Sequence, residues 1–119
     1  MKVLIKSAWG SADPTQAAFP FHHANAFAEA GHEVQIFLLG EAVSLMRAVV
    51  AGSVVPVGWA PLSDALAQVI DHRVPIHVGG ACSRARGVLD ADLVGKNASF
   101  SNPAAFVGLV EWADKVLTE

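Results

Sequence analysis

The chain has 119 residues, one cysteine, a formal net charge of −3, and 53% hydrophobic against 16% charged residues. That excludes a disordered chain and is enough for one core, so residues 1–119 read as a single domain. A lone cysteine excludes an internal disulfide, and the lack of any lysine cluster excludes the electrostatic footprint of a nucleic-acid binder.

In chain order, Lys2 to Ser7 is a short apolar run rich in β-formers, too short for a signal peptide. Trp9 to Ala12 is a loop. Asp13-Pro14-Thr15-Gln16 reads as a helix start, with Asp at the cap, Pro at the first helical position and Gln three residues after the cap. Ala17, Phe21, Ala24 and Ala28 recur at helical spacing beside a polar stripe of His22, Asn25 and Glu29, and Gly31 ends the helix. Val34 to Leu39 is nearly continuous apolar sequence, as in a strand buried on both faces of a parallel sheet.

A helix is predicted from about Ala42 to Val50, followed by a loop holding Val54, Val55, Val57 and Trp59. The longest uncharged stretch, Ala48 to Ser63, is broken by Gly52, Pro56, Gly58 and Pro61 and falls short of the ~20 apolar residues of a membrane span. No membrane partner and a cytoplasmic location are expected. Leu62, Ala65, Leu66, Val69 and Ile70 make a third helical stripe, and Val74 to Val78 is the next strand. Ala98 to Phe100 is a short strand. Asn102-Pro103 then caps a helix with a predicted core face of Phe106, Leu109, Val110 and Ala113, and Lys115 to Thr118 is the last strand.

Strands alternating with helices predict a three-layer α/β/α sandwich on a mainly parallel five-stranded sheet. Chemistry in such sheets gathers outside the carboxyl ends of the strands. Here those ends are the Ser7–Asp13 loop and the Gly40-Glu41, Gly79–Cys82 and Ser101-Asn102 turns. The only thiol, Cys82, follows Gly79-Gly80 and precedes Ser83-Arg84-Ala85-Arg86. A sulfur at a helix start beside arginines is a setting that favours the nucleophilic thiolate. The competing reading is a small buried hydrophobe that only packs.

The amides of Gly79, Gly80 and Ser83, with the charges of Arg84 and Arg86, are the candidate anion stabilisers. Arg84 and Arg86, two apart, do not share a helix face, and Arg86 reads as the structural one. Trp9, Asp13, Trp59, His77 and Asn102 are candidate pocket walls. His77 is either a base for the thiol or a packed, hydrogen-bonded histidine. None of the five histidines sits in a recognised ligand spacing, so no metal and no cofactor is expected. The uncharged Val54–Pro61 loop is a candidate association surface for a homo-oligomer, or else folds back over its own core.

Several segments in order and spacing resemble the DsrE/DsrF-like family, in its YchN-like branch. They are the opening strand with Asp13-Pro14 and an alanine-rich helix, the run Gly31-His32-Glu33-Val34-Gln35-Ile36-Phe37-Leu38-Leu39-Gly40-Glu41-Ala42-Val43, the run Cys82-Ser83-Arg84-Ala85-Arg86-Gly87-Val88, and the tail Trp112-Ala113-Asp114-Lys115-Val116-Leu117-Thr118. The resemblance implies a Rossmann-like or flavodoxin-like domain forming homo-oligomers. It also implies, for some relatives, sulfur relay between donor and acceptor proteins through a persulfide on a cysteine in this region. Related sequences often carry a second cysteine three positions earlier, where this chain has Gly79. An internal dithiol cycle is thereby excluded, and a single-thiol persulfide carrier or sulfurtransferase subunit is expected, with Cys82 as the catalytic residue. The alternative is a non-catalytic oligomeric binding or regulatory protein whose cysteine is structural.

Overall fold

The computed structural model describes residues 1–119. Five parallel strands form one sheet in the order β4-β3-β2-β1-β5: β1 (Lys2–Ser7), β2 (Glu33–Leu38), β3 (Ile76–Gly79), β4 (Ala98–Ser101) and β5 (Lys115–Thr118). Six α-helices connect them: α1 (Pro14–Glu29), α2 (Ala48–Ser53), α3 (Leu62–Asp71), α4 (Gly80–Ala85), α5 (Asp90–Leu93) and α6 (Pro103–Trp112).

Strand alternation sends Val3, Ile5, Val34, Ile36, Leu38, Ile76 and Val78 to one face. There they join Phe21, Leu62, Leu66 and Val69 from α1 and α3 in one apolar core. The other face carries a row running Lys6, Phe37, His77, Ser99 across four neighbouring strands. One helix, α6, reaches it, because only the β4-to-β5 connection crosses the sheet in the reverse direction. The layers therefore differ in thickness, which leaves room beneath the start of α6.

Asp13 begins α1 as the sequence predicts, its Oδ1 accepting the Gln16 N–H at 3.1 Å with Pro14 following. The Asp13 side chain makes no other hydrogen bond, so Asp13→Ala is expected to lower stability by about 1 kcal/mol, read from a denaturant midpoint. Unchanged stability would show that the cap bond carries none of the helix.

Two expectations change. The helix predicted over Ala42 to Val50 is instead a 3-10 helix, Gly40–Met46, and then α2, separated at Arg47, whose backbone is extended. Ala42, Val43, Leu45 and Met46 are all buried, so the segment is held by packing rather than by helical regularity. The predicted core face of α6 is not buried: Phe106, Leu109 and Ala113 are half-covered and Val110 is 39% exposed. One layer of sheet, with nothing beyond it, cannot enclose a helix. In the Val54–Pro61 loop, Val54 folds into the core while Val57 stays 96% exposed. Trp59 leans on α1, its ring 4.6 Å from His22 and 5.8 Å from Phe19, rather than standing free.

Candidate functional site

β3 passes into α4 without an intervening residue, which brings Cys82, third in that six-residue helix, over the carboxyl end of the sheet. Gly80 makes this turn sterically possible. A Cβ there would stand 3.1 Å from the Ser101 carbonyl oxygen and 3.6 Å from Arg84 Nη1. The Arg84 guanidinium thus folds back over the turn. At Gly79, a Cβ would lie 3.6 Å from both Cβ and Sγ of Cys82.

The half-buried Cys82 opens on a cavity of about 610 Å³, within the range of about 300–1,000 Å³ usual for small-molecule sites. Its floor is Lys6 and Phe37 from the thin-layered face of the sheet, with Leu39 just beyond β2. One wall is the turn from Gly79 to Cys82, with Arg84. The opposite wall is Phe100 through Pro103 and Phe106 of α6. Phe106 fixes α6 here: its ring meets Phe37 edge-on at 5.0 Å, and the Lys6 ammonium lies over it at 5.6 Å. Asn102 closes the first turn of α6, accepting the Ala105 N–H at 2.9 Å, while itself lining the cavity.

Of the sequence candidates, Gly79, Gly80, Cys82, Arg84 and Asn102 come together here. Ser83 does not: it turns into the core, 1% exposed, and its hydroxyl has no hydrogen-bond partner. Arg86 faces the 3-10 helix. Its Nε and Nη2 donate to Glu41 Oε1 at 2.9 and 2.7 Å, and Nη1 donates to the Cys82 carbonyl at 3.1 Å. The bond to Glu41 makes the Arg86 guanidinium hold its proton still more tightly than usual. Arg86 therefore anchors the backbone of Cys82 without reaching the cavity.

Trp9, Asp13 and Trp59 lie outside the lining. The Ser7–Asp13 loop instead folds against Glu41, so closely that a Cβ on Gly10 would be 2.8 Å from the Glu41 carbonyl oxygen. Lys6, Phe37, Leu39, Phe100, Pro103 and Phe106 line the cavity without having been sequence candidates. Alternation along β1 and β2 puts Lys6 and Phe37 on matching faces only once the pairing register is known. Nowhere do three His, Cys, Asp or Glu side chains converge as metal ligands.

His77 stands one strand over from Phe37 in the same row, stacked on it at 6.4 Å, with Nε2 bonded to Gln35 Oε1 at 2.6 Å. It does not line the cavity, so the packed, hydrogen-bonded reading fits it. Burial lowers its pKa below the ordinary 6.5, and burial with the neighbouring His23 lowers that of His22. Both bind a proton less readily folded than unfolded. Stability is therefore complete above 6.5 and falls on acidification toward the lower folded values. His77→Gln is expected to show a shallower loss of Tm between about pH 7.5 and about pH 5 than the unchanged chain. An equal loss would place the acid sensitivity elsewhere.

The fold and the whole length of the chain have counterparts. The YchN protein of E. coli superposes with a TM-score of 0.81 at 19% identity, covering 100% of this chain and 99% of that one. A conserved protein of unknown function from Bacteroides thetaiotaomicron, BT1422, superposes with a TM-score of 0.70 at 14% identity, covering 99% and 94%. At these identities the likeness is one of fold. No curated protein matches the sequence. The profile of the DsrE/DsrF-like family matches residues 1–118. With a sheet, a helix order and a sequence profile that agree from end to end, the chain belongs to the DsrE/DsrF-like family.

Proposed function

We propose that this protein is a single-thiol sulfur carrier of the cytoplasm, a sulfurtransferase subunit that holds sulfur as a persulfide on Cys82. Sulfur relay is the general business of the family, and the finer assignment rests on one observation. The only thiol in the chain opens on a cavity lined by two cations, Lys6 and Arg84, and by no carboxylate. Two cations with no carboxylate beside them attract the negative charge that a bound persulfide or an anionic donor carries. Cys82, as thiolate, attacks the outer sulfur of a donor persulfide, and the donor leaves as a thiol. An acceptor thiolate then attacks the sulfur held on Cys82 and releases the Cys82 thiolate. The proposal is tested by intact mass after exposure to a persulfide donor: one added sulfur per chain, mapped to Cys82, is the expected result. A chain that gains none while remaining folded would favour a binding protein with a structural cysteine.

The single thiol is a local choice of residue rather than a demand of the backbone. The Cβ position of Gly79, 3.6 Å from Cys82 Cβ, falls in the range of about 3.5–4.5 Å seen across disulfides. Gly79→Cys is therefore expected to close an internal disulfide with Cys82 under oxidised glutathione, seen as protection of both thiols from alkylation. If both thiols remained alkylatable, the two side chains would not meet in solution.

The protein assembles as a homo-oligomer in this reading. The support is the apolar surface left on α6 and β5, where Val107, Val110 and Val116 are 55%, 39% and 40% exposed. Light scattering at micromolar concentration checks it, and a monomer would overturn it.

A further inference from the structure

The lining of the cavity goes further than the thiol. Lys6 is half-buried near the carboxyl end of β1, where its neighbours Leu4, Ile5 and Ser7 are covered. A lysine withdrawn fully from water is almost always paired, and a half-buried one gains from a partner. This one has only the face of Phe106. Arg84, folded back over Gly80, is also unpaired. The ion pairs of the chain join His23 to Glu119, His72 to Glu29 and Arg86 to Glu41, and include neither residue. Two unpartnered cations thus face one cavity in a chain whose net charge is −3. The positive end of the ten-residue α6, capped at Asn102, opens on the same space. Beside the cations and the polar Ser101 and Asn102, the lining includes an apolar and largely aromatic part: Phe37, Phe100, Phe106 and Leu39.

We propose that the sulfur donor bound here is a low-molecular-weight organic anion, with a carboxylate-type head held by Lys6 and Arg84 and an apolar body against the three phenylalanines. This deepens the sulfur-carrier reading and rests on it for the role of the thiol. A cavity of about 610 Å³ with these walls has room for a small molecule. The chemistry needs no oxidant. With a donor R–S–SH, where R is the anionic body, Cys82 thiolate forms a bond to the outer sulfur and the inner S–S bond breaks. Its electron pair stays on R–S, which takes the proton from the outer sulfur and leaves as R–SH. The sulfur remains on Cys82 as an anionic persulfide, close to the same cations.

The test separates recognition from transfer. Titration calorimetry with para-(methylthio)benzoate, whose blocked sulfur cannot react, is compared with its uncharged counterpart para-(methylthio)benzamide. The acid is expected to bind at least about tenfold tighter than the amide. Lys6→Gln and Arg84→Gln, each checked for an unchanged thermal melt, are expected to erase that preference, whereas Cys82→Ser is expected to keep it. Equal binding of acid and amide, no binding of either, or an acid preference that survives both cation replacements would overturn the inference. Failure of the sulfur-carrier reading looks different: the native chain would gain no sulfur from any persulfide while still preferring the acid, which would uphold the anion site by itself.

Discussion

Cys82→Ser is expected to take up no sulfur at all. Serine keeps the size and position of the side chain at the third residue of α4, and its hydroxyl can be tolerated in a half-buried place. What it removes is the nucleophile: a hydroxyl does not form a persulfide, and no second cysteine stands anywhere in the chain to replace it. The backbone around it stays anchored, because Arg86 grips the carbonyl of residue 82 and not its side chain. Cys82 is half-buried against the edge of the core, so stability should fall only modestly, by about 1 kcal/mol. The measurement is intact mass after a persulfide donor, set beside the thermal melt of the same sample. Sulfur gained by the variant would remove Cys82 from the mechanism. A large loss of stability would show that its role is packing.

Phe21→Ala is expected to lower stability by about 3–5 kcal/mol, the usual range for deleting a buried phenyl ring. Phe21 is fully buried in the 24-residue core, and its helix neighbours on that face are Ala17, Ala18 and Ala24. Alanines let α1 sit close to the sheet, but they cannot swing into a void. The space left by the ring stays open, which puts the effect at the upper end of the range. Against the about 5–15 kcal/mol total typical of a domain, that is a large fraction. A urea titration reads it as a lower midpoint at unchanged slope. A loss below about 1.5 kcal/mol would mean that the neighbouring elements collapse into the gap.

The two predictions probe separate parts of the molecule. Phe21 belongs to the thick layer, where the sheet and α1 and α3 make the stability. Cys82 belongs to the rim of the thin layer, where α6 alone covers the sheet and room remains for a ligand. The fold thus builds its core on one side of the sheet and its cavity on the other.

Much of this was legible in the sequence because it is local. Short β-type runs mark β1 through β5, and period-3.6 stripes mark the helices α1, α3 and α6. Asp13-Pro14 and Asn102-Pro103 announce two helix starts, and in both the side chain caps the backbone as expected. The run from Gly79 to Cys82 is marked as a strand exit carrying a thiol, since two glycines before a helix-forming stretch have few other uses. The 3-10 helix at Gly40–Met46 was not legible, for its apolar residues fit an α-helix equally well and packing chooses between them.

What only the tertiary structure decided is which residues share a space. Strand pairing puts Lys6 beside Phe37, 31 positions away in the chain, and the reverse crossover lays Phe106 over both. No periodicity within one segment contains that information, because the order of strands in a sheet is settled by long-range packing. The same packing separates Arg84 from Arg86, sending one over the cavity and the other to Glu41. It also turns Ser83 into the core. Sequence alone determined that a single thiol stands at the carboxyl edge of a parallel sheet. The third dimension supplied the cations and aromatic walls around it, since these come from strands and helices that meet only when the chain is folded.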